Sequence, residues 1–155
     1  MSTTNIITGS CLCQKVRYEV TGPPKMTLLC HCANCRKVTG STYMANALYQ
    51  KDQLHIISGE DVLKVYKDNN TESGNTVART FCSNCSSPLF ASGDSNRTVA
   101  DVVAITSGTM DLGPSRGDWA PQFEVYCRNR REWITPVEGT MGSEALEVFG
   151  PSQVE

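Results

Sequence analysis

Seven cysteines fall into three tight groups: Cys11 and Cys13 as C-x-C, Cys30, Cys32 and Cys35 as C-H-C-x-x-C, and Cys82 and Cys85 as C-x-x-C. An eighth, Cys127, stands alone in FEVYCRN. Two chemistries use this many thiols. A disulfide framework is the default for small secreted chains with an even cysteine count. The spacing opposes it, because cysteines one or two residues apart pair with each other only under strain. The same spacing suits a metal ion. A tight turn aims several thiolates at one point, and zinc takes about four of them at roughly 2.3 Å in a tetrahedron. Seven such ligands divide into a closed set of four and an open set of three. A closed site is structural, whereas three ligands leave a position for water or substrate.

Spacing alone allows two groupings. Cys32 and Cys35 can join Cys82 and Cys85, but the segment between those pairs far exceeds the roughly 15–20 residues of a zinc ribbon. The alternative joins Cys11 and Cys13 to Cys82 and Cys85 and leaves Cys30, Cys32 and Cys35 as an open triplet, with each cluster kept whole. Cys127 reads as a small buried hydrophobe on a strand, or as a fourth ligand that closes the triplet.

An open centre of three thiolates is electron-rich. It is a weak Lewis acid toward water and well suited to hold a substrate thiol as its nucleophilic thiolate. Thiol transfer or carbon–sulfur chemistry is therefore preferred, with a hydrolase as runner-up. His31, between two of these cysteines, reads as a supporting residue or proton carrier rather than a ligand. Arg36 and Lys37 read either as solvated charges or as an anchor for a carboxylate. Thr39 and Ser41 offer hydroxyls, with turn or cap roles as alternatives. His55 reads as a surface histidine and Trp133 as core rather than a substrate platform. Asp101, Asp111 and Glu124 are proton-carrier candidates without special support.

The elements that must position these groups are short. Strand-like runs occupy VRYEV (16–20), STYMANALY (41–49), QLHII (53–57), VLKVY (62–66), TVARTF (76–81), PLFAS (88–92), TVADVVAI (98–105), QFEVYC (122–127) and REWI (131–134). Of these, TVADVVAI looks the most buried. Turn residues separate them, and KDNNTESGN (67–75) reads as a surface loop. This is the pattern of a mainly β domain. Helix is expected over 34–38 and in SEALEVF (143–149), capped by Ser143, and the tail PSQVE is expected to fray.

Composition narrows the partners. A chain of 155 residues fits a single domain over 1–155. At 39% hydrophobic and 19% charged residues it is not a disordered chain. The net charge of −2, and no basic run beyond RNRR (128–131), argue against nucleic acid. No apolar run is long enough for a membrane span, and MSTTNIITGS lacks the regions of a secretory signal. Thiolate ligands fit a reducing, cytoplasmic setting.

In order, GSCLCQKVRYEV, CHCANCRKVTGS, FCSNCSSPLF and PQFEVYCRNRREWI resemble the glutathione-dependent formaldehyde-activating enzyme family, which includes the centromere protein V type proteins. The resemblance covers about residues 8–135, and C-H-C-x-x-C-R-K followed by T-G-S is its most specific piece. It implies a β-tent of several coiled β-sheets organised around a structural zinc, with few short helices. It places Cys11, Cys13, Cys82 and Cys85 on the structural zinc and Cys30, Cys32 and Cys35 on a catalytic zinc, two Zn2+ per chain. The implied activity is addition of glutathione to formaldehyde, giving S-hydroxymethylglutathione, or carbon–sulfur cleavage in reverse. His31 and Arg36 join the triplet as expected catalytic residues, with glutathione or a similar small thiol as partner. Three departures stand out. Gln14 and Ser86 replace glycines that follow the cysteine turns, so each is expected to need an unusual φ. Near Pro121, Gln122, Phe123 and Glu124 stand where many relatives carry a histidine. A non-catalytic zinc-stabilised binding module and a specialised-metabolism enzyme with another substrate are the alternative expectations.

Overall fold

Apolar residues alternate with polar ones along IITGS and RYEVT, and each run pleats into a strand with one buried face. In the computed structural model, which describes residues 5–93, 101–114 and 119–146, these are β1 (Ile6–Ser10) and β2 (Arg17–Thr21). The remaining strands are β3 (Met26–Cys30), β4 (Met44–Gln50), β5 (Leu54–Ser58), β6 (Leu63–Asp68), β7 (Val77–Cys82), β8 (Pro88–Gly93), β9 (Val102–Thr106), β10 (Phe123–Val125) and β11 (Met141–Gly142). A seven-residue helix, α1 (Ala33–Thr39), lies between β3 and β4.

The strands form two sheets. A three-stranded sheet has the order β1-β2-β5, and an eight-stranded sheet has the order β11-β10-β3-β4-β9-β8-β7-β6. Neither closes, and the chain is mostly β, as expected of a β-tent. Pairings are antiparallel except where β10 lies parallel to β3 and to β11. Strand β4 sits inside the large sheet and is buried over most of its length, more continuously than β9.

Two apolar cores result. The larger packs Ile7, Val16, Tyr18 and Val20 of the small-sheet region against Ala47, Tyr49, Leu89 and Ile105 of the large sheet, and it includes Cys11 and Cys82. Tyr18 meets Phe90 edge-on, at 5.1 Å between ring centroids. The smaller gathers Leu28, Met44, Leu48, Val125 and Tyr126 around Cys30, Cys32 and Cys35. Gly59, at φ +82°, brings the β5–β6 turn against the backbone of Lys15, where a Cβ would collide with the Lys15 carbonyl.

Several expectations shift. Strands β1 and β3 carry or precede the clustered cysteines and were not anticipated, because the short runs IITGS and MTLLC sit beside cysteines and prolines that mask their pattern. The run at 41–49 becomes strand only from Met44, and β6 takes the first two residues of the expected loop. REWI is a turn rather than a strand, and Trp133 is 72% exposed rather than core. Ser143–Leu146 forms bends rather than helix, while 147–149 and the tail lie outside the described residues, as do 98–100 of the TVADVVAI run. Cys127 opens a 3-10 turn (Cys127–Asn129) instead of ending a strand. No helix among the described residues is long and apolar enough to cross a membrane.

Candidate metal centres

Two hairpin turns build the first cysteine cluster. Both use the same backbone device. The Cys11 N–H donates to Val16 O at 3.1 Å and the Gln14 N–H to Cys11 O at 2.9 Å. The Cys82 N–H donates to Ser87 O at 3.1 Å and the Ser86 N–H to Cys82 O at 2.7 Å. Each turn closes through a left-handed residue, Gln14 at φ 60° and Ser86 at φ 63°. These are the two positions at which the sequence departs from glycine. The turns lock face to face: the Leu12 N–H donates to Ser87 Oγ at 3.0 Å, and Lys15 Nζ donates to Asn84 Oδ1 at 3.0 Å.

The four thiols thereby converge. The ligand atoms of Cys11, Cys13, Cys82 and Cys85 all lie within 4.8 Å of one another, with Cys11 and Cys82 buried. Cys11 Sγ is 3.5 Å from Cys13 Sγ, which is 3.8 Å from Cys82 Sγ. Their environments differ. Burial pushes the Cys82 thiol up to about 11. The Ser87 hydroxyl and the backbone of Cys13 bring Cys85 down to about 5. Four thiols of split acidity around one point form a donor set that a thiophilic divalent cation would complete.

The second cluster comes from one continuous segment. β3 ends at Cys30, His31 is tied to the parallel neighbour β10 by its N–H to Val125 O at 3.0 Å, and Cys32 caps α1. The cap is a sulfur: the Cys35 N–H donates to Cys32 Sγ at 3.3 Å, where a serine or aspartate oxygen is usual. Cys30, Cys32 and Cys35 place their Sγ atoms within 4.8 Å of one another. Cys30 and Cys35 donate to Cys32, which is held down to about 2, and Cys30 is pushed up by the same hydrogen bonding.

The triplet borders a cavity of about 190 Å³. Arg79 and Tyr126 share its lining, and Tyr126 holds φ 57°, a costly conformation for an aromatic residue. Arg79 faces the Cys35 thiol and is held by Asp68, its Nε donating to Oδ2 at 2.8 Å. Asp68 also accepts two hydrogen bonds from Asn34 Nδ2. Burial would raise the Asp68 carboxyl, but Arg79 and Asn34 hold it below the usual carboxylate range. A second clamp acts on the first residue of α1, where Glu72 accepts from the Ala33 N–H at 3.1 Å and is itself gripped by Arg128 and Asn129.

His31 is fully buried and does not turn toward the triplet. Its Nε2 lies 2.7 Å from Glu124 Oε2, and its Nδ1 has no hydrogen-bond partner among the described residues. Glu124 is the hub of that region. It accepts from Arg130 Nε at 3.2 Å, the Val137 N–H at 2.7 Å and Thr140 Oγ1 at 3.0 Å. Burial alone would raise its carboxyl, and these four partners instead hold it low. Arg36 and Lys37 lie on the opposite side of α1, where with Gly40, Ser41, Thr42, Arg131 and Trp133 they line a separate groove. Arg36 is thus not brought to the triplet. Cys127 belongs to neither cluster: its Sγ donates to Glu124 O at 3.3 Å and accepts from Arg130 Nη2 at 3.1 Å. Asp101 and Asp111 are exposed and do not line the cavity, and His55 is exposed as expected. Asp68, Glu72 and Arg79 were missed in the sequence. They sit in a loop-like run and a strand far in sequence from the triplet, and only the pairing of β6 with β7 brings Asp68 and Arg79 together.

Comparison with known proteins adds the family. The family model described as glutathione-dependent formaldehyde-activating enzyme matches residues 6–129, a span that includes all eight cysteines. A Halomonas elongata protein named putative glutathione-dependent formaldehyde-activating enzyme is 34% identical over 90 residues, covering 55% of this chain and 55% of that one. The chain therefore matches only about half the length of that relative. A crystal structure of a Rhodobacter sphaeroides protein shares the fold at a TM-score of 0.53 and 18% identity, over 69% of this chain and 91% of the other.

Proposed function

The chain belongs to the glutathione-dependent formaldehyde-activating enzyme family, and we propose that it makes and breaks a carbon–sulfur bond between glutathione, or a similar small thiol, and an electrophile such as formaldehyde. The observation that carries this reading is the contrast in donor sets: four thiols converge in the main core, while three converge at the wall of a cavity. We propose Zn2+ for both clusters. The all-sulfur donors and the close approach of their ligand atoms support that ion. Bound at the triplet, Zn2+ would hold a substrate sulfur as the thiolate that adds to an aldehyde carbon or departs from it. One domain over 1–155, with its core over 8–135, is the companion proposal. Its support is that the four-thiol cluster draws ligands from both sheets.

The chain's own groups then divide the remaining work. Cys30, Cys32 and Cys35 supply the negative donors, and Arg79 offsets part of that charge at Cys35. Asp68 and Glu72 fix the start of α1, so that Cys32 and Cys35 keep their spacing. The His31–Glu124 pair anchors the end of β3 beneath Cys30 and positions the triplet, without touching the cavity. In the adding direction, the sulfur lone pair forms the new bond to carbon. The carbonyl π pair moves to oxygen, and the thiol's proton ends on the resulting hydroxyl.

The test joins metal analysis to turnover. We expect about two zinc ions per chain, exchange of S-hydroxymethylglutathione with glutathione and formaldehyde faster than in buffer, and loss of that acceleration in Cys32→Ser. A fully zinc-loaded chain that does not accelerate the exchange, and whose cobalt-substituted form keeps its spectrum on adding glutathione, would instead be a binding module.

A further inference from the structure

We infer that the cavity beside the triplet is an apolar acceptor for the carbon side of a thiol adduct, so that the preferred electrophile is an aldehyde with an apolar substituent of several carbons rather than formaldehyde. This rests on the reading of the triplet as the site that handles the substrate sulfur. The cavity's floor is a face of the large sheet, and the register defines it. Leu48 pairs with Ala104, Ala104 with Ala91, and Ala91 with Arg79. One cross-strand row therefore runs under the cavity from a leucine, through two alanines, to the cation beside Cys35. The neighbouring rows add Leu28 and Met44, and Leu146 covers one side.

Size and polarity argue together. An apolar cavity of about 150 Å³ is enough to take up benzene, and this one has about 190 Å³. Formaldehyde, with one carbon, would leave most of it unfilled. Asn46 and Arg79 are the polar side chains that the sheet face itself contributes, and Asn34, Thr71, Glu72 and Ser73 come from outside it, so most of the floor offers glutathione's peptide groups no partner. The space exists because two facing positions are alanine, and a larger side chain at either would close it. Each buried methylene of a ligand strengthens binding by about fourfold. The chemistry is unchanged by the substituent. In the hemithioacetal the carbon–sulfur bond breaks with its electron pair going to sulfur, the hydroxyl oxygen forms the carbonyl, and its proton passes to the departing thiolate, which leaves as the thiol.

The experiment uses the zinc-loaded full chain and two uncleavable thioethers, S-methylglutathione and S-hexylglutathione, titrated by calorimetry. It runs beside turnover of the glutathione hemithioacetals of formaldehyde and hexanal. We expect S-hexylglutathione to bind at least tenfold more tightly, kcat/KM to favour the hexanal adduct, and Ala104→Leu to bring the affinity ratio of the two thioethers toward one. Ala91→Leu gives the same readout should the first variant fail to fold. Equal affinity for the two thioethers, or a ratio that survives both substitutions, overturns the inference. A strong preference for S-hexylglutathione with no turnover of either adduct supports the apolar acceptor and removes the carbon–sulfur reading of the site.

Discussion

The two cysteine clusters use the same atom and differ in where their chain comes from. The four-thiol cluster joins the β1–β2 turn to the β7–β8 turn, and Cys13 and Cys82 are 69 residues apart. The triplet takes all its thiols from the end of β3 and the first turn of α1. A cation at the first cluster closes a long loop, which removes conformational freedom from the unfolded chain. A cation at the second closes almost none. Distant ligands make a staple, whereas local ligands make a site whose geometry must be held by other means. The Asp68–Asn34, Glu72–Ala33 and Glu124–His31 contacts supply those means. The second cluster borders a cavity of the smaller core.

The contrast is broken most directly by removing one thiol from each side. Cys82→Ser is expected to cost several kcal/mol, about 4 or more, and to leave little folded chain at 37 °C. Cys32→Ser is expected to keep the far-ultraviolet spectrum and most of the thermal stability while losing one metal equivalent. Equal loss of structure in the two variants would mean that the triplet is also a staple.

The next largest effect is expected at Glu124, because it does for the triplet's strand what the distant cysteines do for the main core. Glu124 is 1% exposed and serves four partners. Its replacement by alanine leaves the buried His31 unpaired and takes the carboxylate from the part-buried Arg130, at a cost of about 3 kcal/mol. Acid provides a gentler version through Asp68, whose folded carboxyl is held below its usual range. A carboxyl lowered on folding stabilises fully above its unfolded value of about 4 and loses that contribution as pH falls through the folded value. Urea midpoints measured downward from pH 5 should therefore fall less steeply in Asp68→Asn than in the parent chain. Parallel slopes would show that the Arg79 pair contributes nothing to acid stability.

How much of this was legible follows the same division. The grouping of seven thiols into four and three could be read from cluster integrity and family likeness, because local spacing records how a turn presents its ligands. The left-handed φ of Gln14 and Ser86 was legible as well, since each stands where a glycine is usual. The supports of the triplet were not. Arg79 reaches Cys35 only through the register Tyr66↔Arg79 and Arg79↔Ala91. Glu124 meets His31 only because β10 runs parallel to β3, a long-range pairing that no local pattern encodes. Trp133 was misread for a related reason: aromatic character argues for burial, but a turn beyond the last long strand leaves it with no core to enter.

The smallest expected effect isolates the backbone of the staple from its sulfur. Gln14 and Ser86 hold nearly the same φ, 60° and 63°, at matching places in the two turns. A non-glycine residue there costs about 1 kcal/mol, and glycine removes that cost while adding freedom to the unfolded chain. Ser86→Gly should therefore raise stability by about 0.5 kcal/mol, read as a higher urea midpoint in the metal-loaded chain. Gln14→Gly should gain slightly less, because its side chain accepts a hydrogen bond from Arg17 Nη2 at 2.7 Å on the exposed surface. Neither change touches a thiol, so metal content should stay the same. A midpoint that falls in both variants would mean that the side chains, not the φ angles, shape these turns. A gain in both would mean that the staple holds its ligands despite strained turns, and that its rigidity comes from the closed set of four.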